Sequence, residues 1–197
     1  MVSINVLGLA GSPRKRGNTR HLLDSVLEGA RTQGAHTETV DLCQAHIAPC
    51  IACDGCFTRQ RCVVQDDFQW VFDKLVLADH VVLATPIYFM GVSAQAKQFI
   101  DRCQCLWARK YIQKLPLPAP QGGGFRQGHL ISVGGSGGET LFRCAENTFK
   151  YFLDTLDAEM GAALLYGEID EKAEITQHPT ALNDAFSLGE RLVSPPS

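Results

Sequence analysis

The stretch "SINVLGLAG" at residues 3–11 is a continuous apolar run that ends in glycine. A strand that is apolar on both faces is typical of a parallel sheet covered by helices on both sides. Similar runs rich in Val, Leu and Ile recur at 37–42, 80–84, 129–134 and 161–166. The helices predicted between and after them are 18–33, 67–78 with Asp66 as N-cap, 93–109, 140–159 and 180–193. The alternating order predicts a doubly wound α/β domain with a five-stranded parallel sheet.

Composition predicts one domain and excludes some partners. With 197 residues, of which 45% are hydrophobic and 20% charged, the chain can bury a full core as a single domain over 1–197. The cysteine-rich loop 49–62 is an insertion after the second strand. A net charge of −3 and a pI near 6.0 argue against nucleic-acid binding, which needs a surplus of Lys and Arg. We therefore expect a small molecule or another protein as partner.

The cellular location is predicted from what the sequence lacks. The N-terminal segment does not show the basic, apolar and small-residue regions of a signal peptide. No apolar run approaches the roughly 20 residues that span a bilayer. We therefore expect a cytoplasmic protein with no membrane association. Since cytosolic thiols are normally reduced, the eight cysteines point to metal, cluster or redox chemistry rather than to a disulfide framework.

The loop after the first strand, "AGSPRKRGNTR" at 10–20, opens the first predicted helix. Free N–H groups at a helix start, with hydroxyls nearby, suit a phosphate. The loop contains neither the GxGxxG dinucleotide pattern nor the GxxxxGK[ST] pattern of nucleotide-binding loops. The alternative is a turn whose polar residues only cap the helix, with the basic side chains in solvent.

Two further loops follow predicted strands at the same edge of the sheet. After the third strand, 85–91 reads "TPIYFMG", and its aromatic side chains could flank a planar ring, although the same residues could be ordinary core. After the fourth, Gly134, Gly135 and Gly138 belong to a glycine-rich turn that lets backbone approach a ligand closely. A flexible turn is the alternative. The Pro- and Gly-rich segment 110–127 is interpreted as a lid or as part of a subunit contact.

The cysteine-rich loop contains four thiols in a C-x2-C-x2-C-x5-C pattern, namely Cys50, Cys53, Cys56 and Cys62. Structural zinc sites usually join two close pairs across a longer arm, whereas four ligands in one loop favour a [4Fe–4S] cluster. Zinc, or free redox-labile thiols, are the alternatives. Arg59 and Arg61 are expected to offset the negative charge of such a centre. Asp101 and Arg102 are interpreted as an ordinary helix-end charge pair. The remaining cysteines are expected to be buried or incidental: Cys43, Cys103, Cys105 and Cys144.

Three of these stretches carry a family resemblance. "GSPRKRGNT" at 11–19, "TPIYFMGVSAQAKQFIDR" at 85–102 and "VGGSGGE" at 133–139 resemble the loops of the NADPH-dependent FMN reductase-like flavoproteins. The four-cysteine run is similar to that of the iron–sulfur flavoprotein branch. The resemblance implies a flavodoxin-like fold with strand order 2-1-3-4-5, bound FMN and a homodimer or homotetramer. The residues that it places at the cofactor are Ser12, Arg14, Gly17, Asn18, Thr19, Pro86, Ile87, Tyr88, Phe89, Gly134, Gly135 and Gly138.

The function implied by the resemblance is that of an FMN-dependent oxidoreductase or electron-transfer flavoprotein. Electrons would come from NAD(P)H or a ferredoxin-like protein and could pass through a [4Fe–4S] cluster held by the four cysteines. The chemistry belongs to the cofactor, so no catalytic side chain is expected. One alternative is an NAD(P)H-dependent reductase of FMN, quinones or nitro or azo compounds without a cluster. A non-enzymatic alternative is a flavin-binding redox sensor.

Overall fold

Five parallel strands form one sheet in a computed structural model that describes residues 3–138 and 140–193. The strands are β1 (Asn5–Ala10), β2 (His36–Asp41), β3 (His80–Pro86), β4 (Arg126–Val133) and β5 (Ala158–Tyr166). Their order is β2-β1-β3-β4-β5, which confirms the predicted flavodoxin-like arrangement. Glu139, the last residue of the predicted glycine-rich motif, lies outside the described residues.

Helices cover both faces of the sheet. They are α1 (Asn18–Thr32), α2 (Phe68–Leu77), α3 (Ala94–Arg102), α4 (Gln104–Trp107), α5 (Arg143–Thr155) and α6 (Ala181–Val193). Single 3₁₀ turns occupy Gly55–Phe57 and Glu174–Gln177, and a π-helical turn occupies Ala108–Ile112. One apolar core lies under α1 and α6, and a second lies under α2 to α5. No helix in these ranges combines the length and apolarity needed to cross a membrane.

Two predicted helices differ from the structure. The helix expected over 93–109 is broken at Cys103 into α3 and α4 and then widens into the π-helical turn. The helix expected over 140–159 ends at Thr155, and β5 begins at Ala158. Ala158 and Glu159 fall within the predicted helix because both residue types favour helices, and Ala is the strongest helix former. Pairing with β4 overrides this preference.

The α1–α6 contact depends on two glycines. A Cβ atom on Gly29 would lie 2.1 Å from the Phe186 carbonyl oxygen, and one on Gly189 would lie 2.0 Å from the Val26 carbonyl oxygen. Both distances are far below any normal contact, so the two helices touch backbone to backbone. The glycines thus set the position of α1, whose first turn belongs to the site described below.

The segment 110–127 is fastened at both ends. Near its start, the Gln113 side chain donates to carbonyl oxygens of the cysteine-rich loop. Near its end, Gln121 accepts from the Asn5 side-chain amide at 2.6 Å, and the Gly122 N–H donates to the Asp79 carboxylate at 2.8 Å. These anchors argue for a fixed connection rather than a flexible lid, and the alternative of a subunit contact stays a prediction.

Candidate cofactor sites

A cleft of about 420 Å³ lies where the strands end. Its lining brings together nearly all of the predicted cofactor residues: Ser12, Arg14, Gly17, Asn18, Thr19, Pro86, Ile87, Tyr88, Gly134 and Gly135. Phe89 and Gly138 are not among the lining residues. The cleft thus joins the three loops that follow β1, β3 and β4, as parallel-sheet topology requires of a ligand site.

The first loop ends at the start of α1, where Gly17 is the N-cap in an extended conformation. A helix leaves the N–H groups of its first turn without intrahelical partners, which makes this end attractive to anions. Thr19 is only 2% exposed, and its hydroxyl lines the same cleft without a hydrogen bond to any described residue. The geometry suits a phosphate group.

Two of the predicted phosphate-binding side chains also hold the protein together. Asn18 donates to the Glu171 carbonyl oxygen at 2.9 Å and accepts from the Ile175 N–H at 3.2 Å. The Arg14 guanidinium donates to the Asp170 carbonyl oxygen at 2.8 Å. These bonds fasten the segment after β5 over the first loop, so Asn18 acts there as a positioning residue.

The segment after β5 supplies site residues that the sequence analysis missed. Ile169 and Asp170 line the cleft, and the Ile169 N–H donates to the Gly134 carbonyl oxygen at 3.1 Å. A Cβ atom on Gly135 would lie 3.1 Å from the Asp170 side chain. A glycine at 135 is therefore needed to make room for this segment, in addition to any approach of a ligand to the backbone. The only available sequence signal was that the segment follows a strand at the ligand edge.

The second loop forms a tight turn. The Tyr88 and Gly91 backbones bond to each other in both directions at 3.0 Å. Phe89 and Met90 between them have φ values of 49° and 66°, an uncommon and strained conformation for large side chains. The Phe89 ring is fully exposed. Within the described residues, the N–H groups of Phe89 and Met90 are the unpaired donors of this turn.

A buried polar network fixes the loops relative to one another. The Ser93 hydroxyl caps α3 and donates to the Gly11 carbonyl oxygen at 2.5 Å. The Ser93 N–H donates to the Thr85 hydroxyl at 2.9 Å, and the Ser132 hydroxyl donates to the Thr85 carbonyl oxygen at 2.8 Å. Because all of these groups are buried, breaking one bond leaves an unsatisfied polar atom.

A second cavity, of about 400 Å³, lies in the cysteine-rich loop. All four predicted ligands line it: Cys50, Cys53, Cys56 and Cys62. Burial raises the pKa of the Cys56 thiol against a backbone hydrogen bond that lowers it, and the other three sulfurs add to the increase. Between them Ala52 and Asp54 adopt positive φ values of 48° and 54°, which bends the loop around the cavity.

The thiols surround the cavity without meeting at one point. Among the described residues, no group of three or more His, Cys, Asp or Glu side chains is placed to hold a single metal ion. A mononuclear zinc site needs four ligand atoms within about 2.3 Å of one ion. In a cubane cluster each thiolate instead binds a different iron. The described residues therefore show no site for a single metal ion, and the case for a cluster rests on the four thiols that line the cavity.

Arg102 is a buried residue of this second cavity, and its interpretation as half of a surface charge pair is wrong. The side chain is 1% exposed and lines the cavity. Its two terminal nitrogens donate to the Asp66 carboxylate at 2.6 and 3.1 Å. Burial opposes the guanidinium charge, but the Asp66 and Cys62 side chains outweigh it and the pKa of Arg102 is raised. Asp101 does form a surface pair, with Lys97.

The arginines expected to face the cluster lie elsewhere. Arg61 pairs with Asp73 on α2 and is half exposed, and neither Arg61 nor Arg59 lines the cavity. The loop backbone is held instead by amides. Gln113 donates to the carbonyl oxygens of Cys56, Phe57 and Arg59 at 3.0 to 3.1 Å. Gln69 in α2 donates to the Cys62 and Val64 carbonyl oxygens at the C-terminal end of the loop, and Asp66, just before α2, accepts from the Ala48 N–H at its N-terminal end.

The other cysteines divide by position. Cys103 and Cys105 are buried, whereas Cys144 is exposed. Cys105 lines the second cavity beside the four predicted ligands, and burial raises its pKa to about 12, so it remains a protonated thiol. Cys43 is partly buried, and its pKa is raised by burial to about 11.

The sheet order and the cleft at its carboxyl edge define the class: a doubly wound, flavodoxin-like α/β protein. Residues 4–160 match the family model of the NADPH-dependent FMN reductases, so the chain belongs to this family. It resembles an NAD(P)H:quinone oxidoreductase from Methanothermobacter marburgensis with a TM-score of 0.73, covering 99% of this chain and 100% of that one. At 16% identity this likeness shows the fold alone.

Sequence relatives include two iron–sulfur flavoproteins. The chain is 33% identical over 133 residues to one from Methanosarcina thermophila, covering 68% of this chain and 64% of the relative. It is 38% identical over 103 residues to one from Methanocaldococcus jannaschii, covering 52% of this chain and 53% of the relative. The chain thus spans between about half and two thirds of the length of these relatives.

Proposed function

We propose that this protein is an FMN-dependent oxidoreductase that transfers electrons between FMN in the first cleft and a [4Fe–4S] cluster in the cysteine-rich loop. The observation that carries the proposal is the gathering of four thiols around one cavity in a chain that also has the cleft of its flavin-reductase family. Flavin exchanges electrons singly or in pairs, and a cluster exchanges them singly.

The protein's part in FMN binding is argued from the cleft. The N–H groups at the start of α1, with Thr19 and Ser12, bind the phosphate, and Arg14 supplies positive charge while it holds the segment after β5. The walls around Tyr88 and Ile87 exclude water from one side of the ring. In this proposal the N–H groups of Phe89 and Met90, which have no partner among the described residues, are available to polar atoms of the ring, so that Phe89 acts through its backbone.

The cluster's ligands are Cys50, Cys53, Cys56 and Cys62. The loop that carries them is held by Arg102, Asp66 and Gln113. Its cavity is lined mainly by thiols and apolar side chains, which suits a centre bound by sulfur. NAD(P)H or a ferredoxin-like protein is the electron donor in this proposal, and the assembly is a homodimer or homotetramer, as the resemblance implies.

The test is an ultraviolet–visible spectrum with iron, sulfide and zinc analysis on protein purified without oxygen. We expect flavin bands, broad absorbance near about 400 nm, and about four irons and four sulfides per chain. Flavin bands without iron would reject the cluster and favour the simple NAD(P)H-dependent reductase. Absence of flavin would reject the proposal as a whole. Oxidation of NAD(P)H by the purified protein separates a reductase from an electron carrier or sensor.

Cysteine variants assign the ligands. Cys53→Ser and Cys56→Ser should each lose most of the iron while FMN content stays near that of the wild type, because the flavin cleft lies on other loops. Cys144→Ser is the matched control, since this exposed thiol on α5 lies outside the cavity. Retention of iron and of electron transfer by both ligand variants would contradict the assignment.

A further inference from the structure

The Arg102 guanidinium leaves one donor unused, and Arg102 is one of the residues that line the cysteine-rich cavity. Nη1 donates to the Ala48 carbonyl oxygen and to Asp66, and Nη2 donates to the Val64 carbonyl oxygen and to Asp66. Nε is buried and has no partner among the described residues. A buried donor without a partner destabilises the protein, so a group that binds in this cavity and accepts a hydrogen bond from Nε is favoured.

The guanidinium cannot turn away to find another acceptor. The Asp66 carboxylate accepts hydrogen bonds from both terminal nitrogens, and this bidentate geometry fixes the plane of the guanidinium. The Phe68 ring lies 4.7 Å from the guanidinium carbon and packs against it. Asp66 itself is held by the N–H groups of Ala48 and Phe68. Nε is therefore a rigid, preorganised donor.

The charges of the pair are arranged asymmetrically. Arg102 lines the cavity together with the four ligand cysteines, whereas Asp66 does not. The positive end of the ion pair thus faces the cavity, and the negative end faces the base of the loop. The Cys62 side chain lines the same cavity and interacts with the guanidinium, so an anionic occupant bound through sulfur fits this wall.

We propose that the Nε–H group of Arg102 donates a hydrogen bond to a sulfur of the thiolate-bound cluster, and that Arg102 is thereby a positioning residue that raises the reduction potential of the cluster. This inference rests on the proposed function. Hydrogen bonds to sulfur are one of the means by which proteins set cluster potentials, because they withdraw electron density from the ligands.

The decisive variant is Arg102→Lys. Lysine places a methylene group where arginine has Nε, but it keeps a positive charge that can pair with Asp66. The variant therefore deletes the unused donor and retains the ion pair. Its cluster should be harder to reduce, with about a tenfold lower equilibrium constant for one-electron reduction, which is about 59 mV. The measurement is a redox titration of the anaerobic protein, followed by visible absorbance and electron paramagnetic resonance.

Two further variants frame this result. Arg61→Met also changes an arginine next to Cys62, but its guanidinium pairs with Asp73 outside the cavity, so the cluster potential should stay at the wild-type value. The double variant Asp66→Asn with Arg102→Met removes both charges together, which avoids leaving one of them buried and unpaired. It should shift the potential in the same direction as Arg102→Lys.

The outcomes separate this inference from the proposed function. Wild-type protein without iron overturns the proposed function. Iron-loaded Arg102→Lys with an unchanged potential overturns the role of Arg102 alone. If Arg102→Lys loses both iron and folded stability, this also counts against the inference, because a role of Arg102 in holding the cysteine-rich loop would then explain the loss of iron. Loss of iron at unchanged stability supports the inference, since the pair with Asp66 is retained.

Discussion

At the scale of single residues, Asp66 closes the base of the cysteine-rich loop. Its carboxylate accepts from the N–H groups of Ala48 and Phe68 and from both terminal nitrogens of Arg102. Burial alone would raise the pKa of this carboxyl, but the hydrogen bonds with Arg102, Ala48 and Phe68 more than compensate and the pKa is lowered. Residues 48 and 64–66, which lie on either side of the loop, are thus joined by one ion pair.

Asp66→Asn should lower the free energy of unfolding by about 3 kcal/mol, because it leaves the Arg102 charge buried without its partner. The loss should be largest above about pH 4, since the wild-type carboxylate stabilises the fold above its unfolded pKa and this contribution disappears as pH falls through the lower folded value. Urea unfolding at several pH values measures both effects. Asp101→Asn, in an exposed pair with Lys97, should cost less than about 0.5 kcal/mol; an equal cost for the two variants would contradict the argument.

Sequence reasoning could not identify Arg102 for a physical reason. Its partner Asp66 lies 36 positions earlier, and nothing in the local pattern at 101–102 distinguishes a buried arginine from an exposed one. Arg59 and Arg61 attracted the prediction because they are close to the cysteines in sequence. Pairing across the fold, rather than proximity along the chain, decides which guanidinium faces the cavity.

At the scale of elements, the glycines of α1 and α6 act against helix propensity and in favour of packing. Gly29→Ala would raise the propensity of α1 by about 1 kcal/mol. Its Cβ atom, however, would lie 2.1 Å from the Phe186 carbonyl oxygen, and backbone cannot move aside as the end of a side chain can. The two helices would have to separate.

We therefore expect Gly29→Ala to lower the free energy of unfolding by about 2 kcal/mol or more, as overpacking does elsewhere. Thermal unfolding monitored by circular dichroism is a sufficient measurement. Gly124→Ala is the control, since a Cβ atom there meets nothing within 4 Å, and its melting temperature should stay near that of the wild type. A stabilised Gly29→Ala protein would show that propensity outweighs the contact.

Element boundaries show where sequence patterns suffice. The strands were predictable because their apolar runs lie between two helical layers, and the start of α1 was predictable from its polar loop. The break at Cys103 was not, because the residues on both sides favour a helix and the interruption depends on how α3 and α4 pack over the second core. Ile169 and Asp170 were missed because the segment after β5 joins the cleft only through contacts with the first and third loops.

At the scale of the whole molecule, a buried histidine pair links stability to pH. The Ala162 N–H donates to Nδ1 of His129 at 3.1 Å, so the proton of His129 is assigned to Nε2, which donates to Nδ1 of His80 at 3.2 Å. Burial, together with the neighbouring His80, lowers the pKa of His129 to about 3, so the His129 ring is neutral in the folded protein near neutral pH. Burial also lowers the pKa of His80.

The free energy of unfolding should therefore fall as pH drops below about 6.5, where the unfolded state takes up protons that the folded state does not. The expected slope is about 1.4 kcal/mol per pH unit for His129, and His80 contributes in the same direction because its pKa is also lowered. Urea unfolding at about pH 7, 6 and 5 measures it. His129→Gln keeps a side chain that can accept and donate hydrogen bonds but cannot titrate in this range. It should reduce the slope by the contribution of one proton, about 1.4 kcal/mol per pH unit. An unchanged slope would show that groups other than His129 cause the pH dependence of stability.

The protein bonds that close the cysteine-rich loop bear on what the proposed cluster would contribute to the fold. Arg102, Asp66, Gln69 and Gln113 hold the loop through bonds that do not use its thiols. A zinc finger, by contrast, has no stable fold until its metal binds. Under the proposed function, the cluster would therefore serve as a redox centre rather than as the main support of the loop.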